Sequence, residues 1–177
     1  MSAPSQHLQL TEAERIEIRL AALNDCAPDT AINQFHRCCG SSKWSKTMAG
    51  RRPFSTLDAL QKCGDLIWQS CAHQDWLEAF AAHPRIGEKS AVRWSSQEQS
   101  GMNGLSVVLQ NAFAKANNIY EAKFGYRFIV CATGKTAVEM LANLEGRIGN
   151  DPAIEILNAA EQQRLITHLR LIGLFTE

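Results

Sequence analysis

His83 lies in Phe80-Ala81-Ala82-His83-Pro84-Arg85-Ile86-Gly87, where an apolar helical pattern gives out. An imidazole with an unperturbed pKa of about 6.5 can take up and release a proton near neutral pH. Pro84 disfavours helical backbone at the residue before it and fixes the direction of exit, so it pre-orients the ring. Taken alone, a histidine at a helix end also serves as a C-cap or surface group. Glu98 follows Ser95 at capping-box spacing, which accounts for it fully. The free N–H groups and partial positive charge of a helix start would equally receive a polar ligand. Arg170 sits between Leu169 and Leu171 near the C-terminus, either as a solvated arginine or as an anion-binding group. An imidazole, a carboxylate and a guanidinium are the groups that a metal-free, cofactor-free proton transfer would use.

Other chemistries fail on spacing. Ala132-Thr133-Gly134-Lys135-Thr136 imitates the end of a phosphate-binding loop, but the glycine required upstream is replaced by Ile129, and a turn with a helix cap explains the segment. His36, Cys38 and Cys39 would diverge on one helix, and no second ligand cluster completes a tetrahedron, so no metal site is expected. No Gly-x-Ser-x-Gly elbow occurs.

The elements that must position these groups are helical. Thr11 with Glu14 makes a capping box, and Ile16, Leu20 and Leu23 share one face. A helix over 30–39 carries Ile32, Phe35 and Cys39 inward and ends at Gly40; Trp44 and Met48 predict another turn or two. Arg52-Pro53-Phe54-Ser55 is a breaker followed by a cap, and Leu57, Leu60, Ile67 and Cys71 extend the next helix to about 72. Asp75 is expected to cap a helix with Trp76, Leu77 and Phe80 inside. Ser95 is expected to open a helix carrying Met102, Leu105, Leu109 and Phe113 as far as Gly125. The stretch 126–132 has strand-like composition but no second strand to pair with. It is therefore expected to be a buried extended segment whose backbone groups find partners elsewhere. Thr136 with Glu139 caps a helix bearing Leu141, Leu144 and Ile148. Asp151-Pro152 starts the last, with Ile154, Leu157, Leu165, Leu169 and Ile172 inward. The expectation is an all-α single domain, 1–177, of roughly seven to nine helices.

Composition agrees with a globular protein: 177 residues, 45% hydrophobic and 20% charged. Eighteen basic residues balance eighteen acidic ones, which leaves no electrostatic footprint for nucleic acid or an anionic membrane. No apolar run is long enough to span a bilayer, and the first residues lack the pattern of a signal peptide. The six cysteines form no Cys-x-x-Cys pair and fall within helical apolar patterns, as buried thiols of a reducing, cytoplasmic compartment would.

Cys38-Cys39-Gly40-Ser41 with Trp44, Arg52-Pro53-Phe54, Ala82-His83-Pro84, Ser95 with Glu98-Gln99, Phe124-Gly125-Tyr126-Arg127-Phe128 and Leu169-Arg170-Leu171 follow one another in order. This order resembles that of decarboxylases acting on 2-oxo-4-hydroxy-4-carboxy-5-ureidoimidazoline (OHCU). The resemblance spans nearly the whole chain. It departs at His83-Pro84-Arg85-Ile86-Gly87, where that family more often has His-Pro-Asp-Leu-Ala-Gly and a longer loop to the Ser-x-x-Glu-Gln element.

The resemblance implies an all-α homodimer that converts OHCU to (S)-allantoin with loss of CO2, without a cofactor, in urate degradation. By position it makes His83 the catalytic histidine and Glu98 its acidic partner. Pro84, Ser95, Gln99 and Arg170 would contact substrate, and Phe128, Ile129, Val130 and Cys131 would offer backbone groups to the ring. Such a substrate carries its own electron sink, a ring C=N beside the carbon that bears the carboxylate. The protein then needs only to orient the carboxylate, stabilise displaced charge and deliver a proton to one face. Competing expectations are a helical interaction module without turnover and an enzyme for a related ureido or imidazole acid.

Overall fold

The computed structural model of the chain describes residues 10–86 and 106–176. Among them are eight helices and no strand: α1 (Glu12–Asp25), α2 (Pro28–Cys39), α3 (Ser42–Gly50), α4 (Leu57–Ser70), α5 (His73–Ala81), α6 (Val107–Phe124), α7 (Ala137–Ile148) and α8 (Pro152–Thr176). No described helix is long and apolar enough to cross a membrane.

Local chemistry sets the helix boundaries. Thr11 and Glu14 exchange the reciprocal bonds of a capping box, as do Thr136 and Glu139. Pro28 occupies the first turn of α2, where its missing N–H has no helical acceptor to lose, so that helix starts before residue 30. The hydroxyl capping α4 is that of Thr56 rather than Ser55, and the helix stops at Ser70. Asp75 is the third residue of α5, not its cap; its carboxylate accepts the Ala72 N–H at 2.8 Å. Ser106 has extended backbone (φ −62, ψ 151) and accepts the Leu109 N–H at 3.3 Å, so α6 has its own start there. A helix running unbroken through residue 106 to Leu109 is thereby excluded, because the backbone at Ser106 is extended and its hydroxyl satisfies the orphan N–H of Leu109. Ser95 itself lies outside the described residues.

The largest correction concerns α8. Ile154 and Leu157, expected inside, are each 56% exposed, and Leu169 is 42% exposed. The buried face instead carries Glu155, Ala159, Ala160, Gln163, Ile166, Thr167, Arg170, Leu171 and Phe175. An apolar stripe was available on this helix, yet the fold buries the opposite face, on which polar and apolar residues are mixed. Ala159 and Ala160 are small enough for close packing; Trp68 donates its Nε1–H to Ala160 O at 2.9 Å.

Two apolar clusters result. The larger joins α1–α5 to α8 around Phe35, Trp44, Met48, Leu60, Phe80 and Leu171. The smaller joins α6 to α7 around Phe113, Tyr120, Met140 and Leu144. Between them runs the extended segment: Ile129 and Cys131 pack into the first cluster, Phe128, Val130 and Ala132 into the second. This alternation is the period of extended backbone, here used to bury both faces of an unpaired chain.

Candidate active site

The site begins with a close approach. Gly40 ends α2 at φ +85, a conformation that costs an L-residue with a Cβ roughly 1–2 kcal/mol. A Cβ placed there would stand 2.7 Å from Ala82 Cβ and 3.3 Å from Ala79 O. Glycine thus lets the end of α5 press against the end of α2, which brings His83 over the buried face of α8. The His83 N–H still reaches Phe80 O at 3.2 Å. Arg127 then fixes the turn by donating to Ala81 O (3.2 Å) and His83 O.

His83 is buried, with 7% of its surface exposed. Its Nε2 lies 2.7 Å from Gln163 Oε1. Gln163 donates from Nε2 to Cys39 O (3.2 Å) and Thr167 Oγ1 (3.1 Å). About two turns beyond Gln163 on α8, Arg170, also buried, directs Nη1 toward Cys38 O at 3.4 Å. The C-terminus of α2, the exit of α5 and the middle of α8 therefore meet in one polar layer.

Electrostatics change the expectation for the histidine. Burial pushes its pKa down to about 3; the Arg170 charge and, less, that of Arg127 act in the same direction, against the Gln163 hydrogen bond. An ordinary value of about 6.5 fails because the imidazolium would lose its water beside two cations. His83 is neutral at pH 7. Burial likewise raises the Cys38 and Cys39 thiols to about 12 each, so they remain protonated and are not nucleophiles.

The structure brings His83 and Arg170 together, with Pro84 half-buried beside them. The solvated reading of Arg170 is excluded by its burial. Phe128, Ile129, Val130 and Cys131 are all buried, but several of their backbone groups already have side-chain partners. Ile129 O accepts from Arg147 (2.8 Å), Cys131 O from Lys135 (2.8 Å), and the Cys131 N–H donates to Gln162 Oε1 (2.9 Å). Ser95, Glu98 and Gln99 lie outside the described residues. Among the described residues, no three His, Cys, Asp or Glu side chains are grouped to hold a metal ion.

Sequence reasoning missed Gln163, Thr167 and Arg127. A signal existed: Glu155, Ala159, Gln163 and Thr167 recur every four residues, and Arg170 follows on the same face. Polar side chains at helical spacing beside alanines lie on the packed face of this helix, whereas Leu157 and Leu169 lie on the exposed one.

A polar layer at a buried histidine is thus built on the long terminal helix of an all-helical fold. A family model described as OHCU decarboxylase matches residues 24–172, and the chain belongs to that family. It is 36% identical over 159 residues to the "Uric acid degradation bifunctional protein TTL" of Arabidopsis thaliana, covering 85% of this chain but 49% of that protein, so it spans about half that relative's length. The "2-oxo-4-hydroxy-4-carboxy-5-ureidoimidazoline decarboxylase" of Haloferax volcanii is 24% identical over 90% of this chain and 98% of its own. A crystal structure of OHCU decarboxylase in the presence of (S)-allantoin superposes with a TM-score of 0.75 at 36% identity, covering 82% of this chain and 99% of that one.

Proposed function

We propose that this chain is a carboxy-lyase that decarboxylates OHCU to (S)-allantoin in urate degradation, with His83 as the group that moves the proton. The observation carrying this reading is the meeting of His83 with Arg170, far apart in sequence, in one buried layer of a fold whose family is named for that reaction. Arg170 supplies the charge to hold the substrate carboxylate until it departs.

The electrons balance without help from a cofactor. The bond to the carboxylate breaks, CO2 leaves, and its electron pair forms a C=C bond as the neighbouring C=N pair moves onto nitrogen, which takes up a solvent proton. The remaining enol then becomes a ketone: its hydroxyl proton leaves and a proton adds to the adjacent carbon. A neutral imidazole suits this second step, since it first accepts the hydroxyl proton and then returns it to one face of the ring, setting the S configuration. Glu98 is the proposed acidic partner of this exchange, and Ser95, Gln99, Pro84 and the 128–131 segment are the proposed substrate contacts. The reading includes a homodimer in the cytoplasm, the compartment favoured by six free cysteines, four of them buried; sedimentation of the purified chain checks the dimer.

The test is turnover of freshly generated OHCU, followed by circular dichroism of the product. Wild-type protein should give optically active (S)-allantoin faster than spontaneous decay, which gives the racemate. His83→Asn should fold normally and lose roughly 10²–10⁴ in rate. Wild-type turnover by that variant would remove His83 from the chemistry. Racemic product from wild-type protein, at the uncatalysed rate, would overturn the enzyme itself.

A further inference from the structure

Gln163 sits beneath the histidine with every polar atom of its amide engaged. Cys39 O, 3.2 Å away, can only accept, so the Gln163 atom facing it must be the NH2 group. Thr167 Oγ1 takes a second bond from the same nitrogen at 3.1 Å. The reversed amide would set two acceptors against each other at Cys39. The orientation is thus fixed by chemistry, and Oε1 must face His83 Nε2 at 2.7 Å. An amide oxygen only accepts, so the hydrogen of that short contact belongs to the imidazole.

We infer that Gln163 is a positioning residue that holds neutral His83 in its Nε2–H tautomer, leaving Nδ1 as the nitrogen that exchanges the proton with substrate. The inference rests on the proposed role of His83 and deepens it. Nδ1 carries the lone pair that accepts the hydroxyl proton, while Nε2–H stays bonded to Gln163 throughout. In the brief imidazolium state both nitrogens carry hydrogen, and Oε1 stabilises the Nε2 side without taking its proton. A carboxylate at Nδ1 could receive a hydrogen bond only in that state. Orientation of the resting ring therefore falls to Gln163 rather than to an acidic side chain. Cys39 O at the end of α2 and Thr167 on α8 together brace the amide, so the tautomer is set by packing of α2 against α8.

The experiment is nitrogen-15 NMR of the full chain labelled in histidine, near pH 7, with His83 assigned by the signal missing from His83→Asn. A pyridine-like Nδ1 and a pyrrole-like Nε2 are expected. A pyrrole-like Nδ1, or an imidazolium pattern, would overturn the inference. This readout needs no turnover, so an enzyme inactive on OHCU but showing the expected tautomer would sink the proposed reaction and leave the positioning role standing. Two variants add kinetics. Gln163→Leu should lower kcat about 10²-fold or more with KM unchanged. Gln163→Glu, which still accepts from Nε2–H and favours the imidazolium, should recover part of kcat and move the acid limb of the pH profile upward. Wild-type kcat in Gln163→Leu, or a Gln163→Glu variant with neither recovery nor shift, counts against it.

Discussion

The buried face of α8 carries two polar centres, two turns apart, that resolve the same problem in opposite ways. At its N-terminal end Glu155 is fully buried and ionised. It accepts from Arg147 Nε (2.8 Å) and Nη2 (2.5 Å), Tyr120 (2.5 Å) and Asn150 (2.7 Å). Burial pushes its pKa up, but the hydrogen bonds from Arg147, Tyr120 and Asn150 together outweigh it and leave the carboxyl below its ordinary value. At mid-helix His83 meets the amide of Gln163, and its burial and neighbouring charges keep it neutral. One centre locks a charge in place, and the other refuses one. The first is suited to structure: Arg147 also holds Ile129 O and stacks over Phe128, 4.6 Å from the ring centroid, so the ion pair fastens the extended segment between the two clusters. The second is suited to exchange, because a neutral buried imidazole can accept a proton when an anion arrives to offset the cations around it.

Breaking the first centre should have the larger effect on stability. Glu155→Gln leaves Arg147 buried without its counter-charge and should cost about 3–5 kcal/mol, seen as a lower midpoint in urea unfolding. A change under about 1 kcal/mol would mean that the pair is solvated and the contrast between the centres is false.

Gly40→Ala strikes only the second centre. It combines a left-handed conformation with a Cβ 2.7 Å from Ala82 Cβ, so the exit of α5 must shift. We expect a loss of about 1–3 kcal/mol together with a fall in turnover out of proportion to stability. Unfolding midpoint and kcat measured side by side separate the two effects. Wild-type activity would show that the approach of α2 to α5 does not position the histidine.

Per pH unit the effect of His83 titration is the most gradual, a slope rather than a step. The folded pKa of His83, about 3, lies below its unfolded value. Between roughly pH 6.5 and 3 the unfolded chain therefore binds the extra proton. The stability associated with neutral His83 is complete above that window and is lost as pH falls through it, by at most about 1.4 kcal/mol per pH unit. Denaturant titrations across the window should be steeper for wild-type than for His83→Asn. Equal slopes would mean that the ring is protonated in the folded state.

Much of the frame was legible from residues alone because its causes are local. Thr11 with Glu14, Thr136 with Glu139, Gly40 and Gly125 set boundaries through bonds within a turn, and the sequence alone predicts them. Positions 126–132 also declared themselves, as β-prone residues with nothing to pair with. The mistakes have a common origin. Ser55 and Asp75 were each plausible caps, but Thr56 and Ala72 hold those positions in the folded chain.

For α8, local pattern offered two candidate faces, one of isoleucines and leucines and one of alanines with polar residues. Only the surrounding helices could choose, since burying Glu155, Gln163 and Arg170 is favourable only where Arg147, Cys39 O and Cys38 O are already waiting. Amino-acid sequence determined that the chain is helical, where most helices begin and end, and, through the order of its motifs, the family to which it belongs. The tertiary structure decided which face of the last helix is inside, and with it the partner and the protonation of His83. Hydrogen-bond satisfaction and desolvation are set by groups distant in sequence, and no local pattern encodes them.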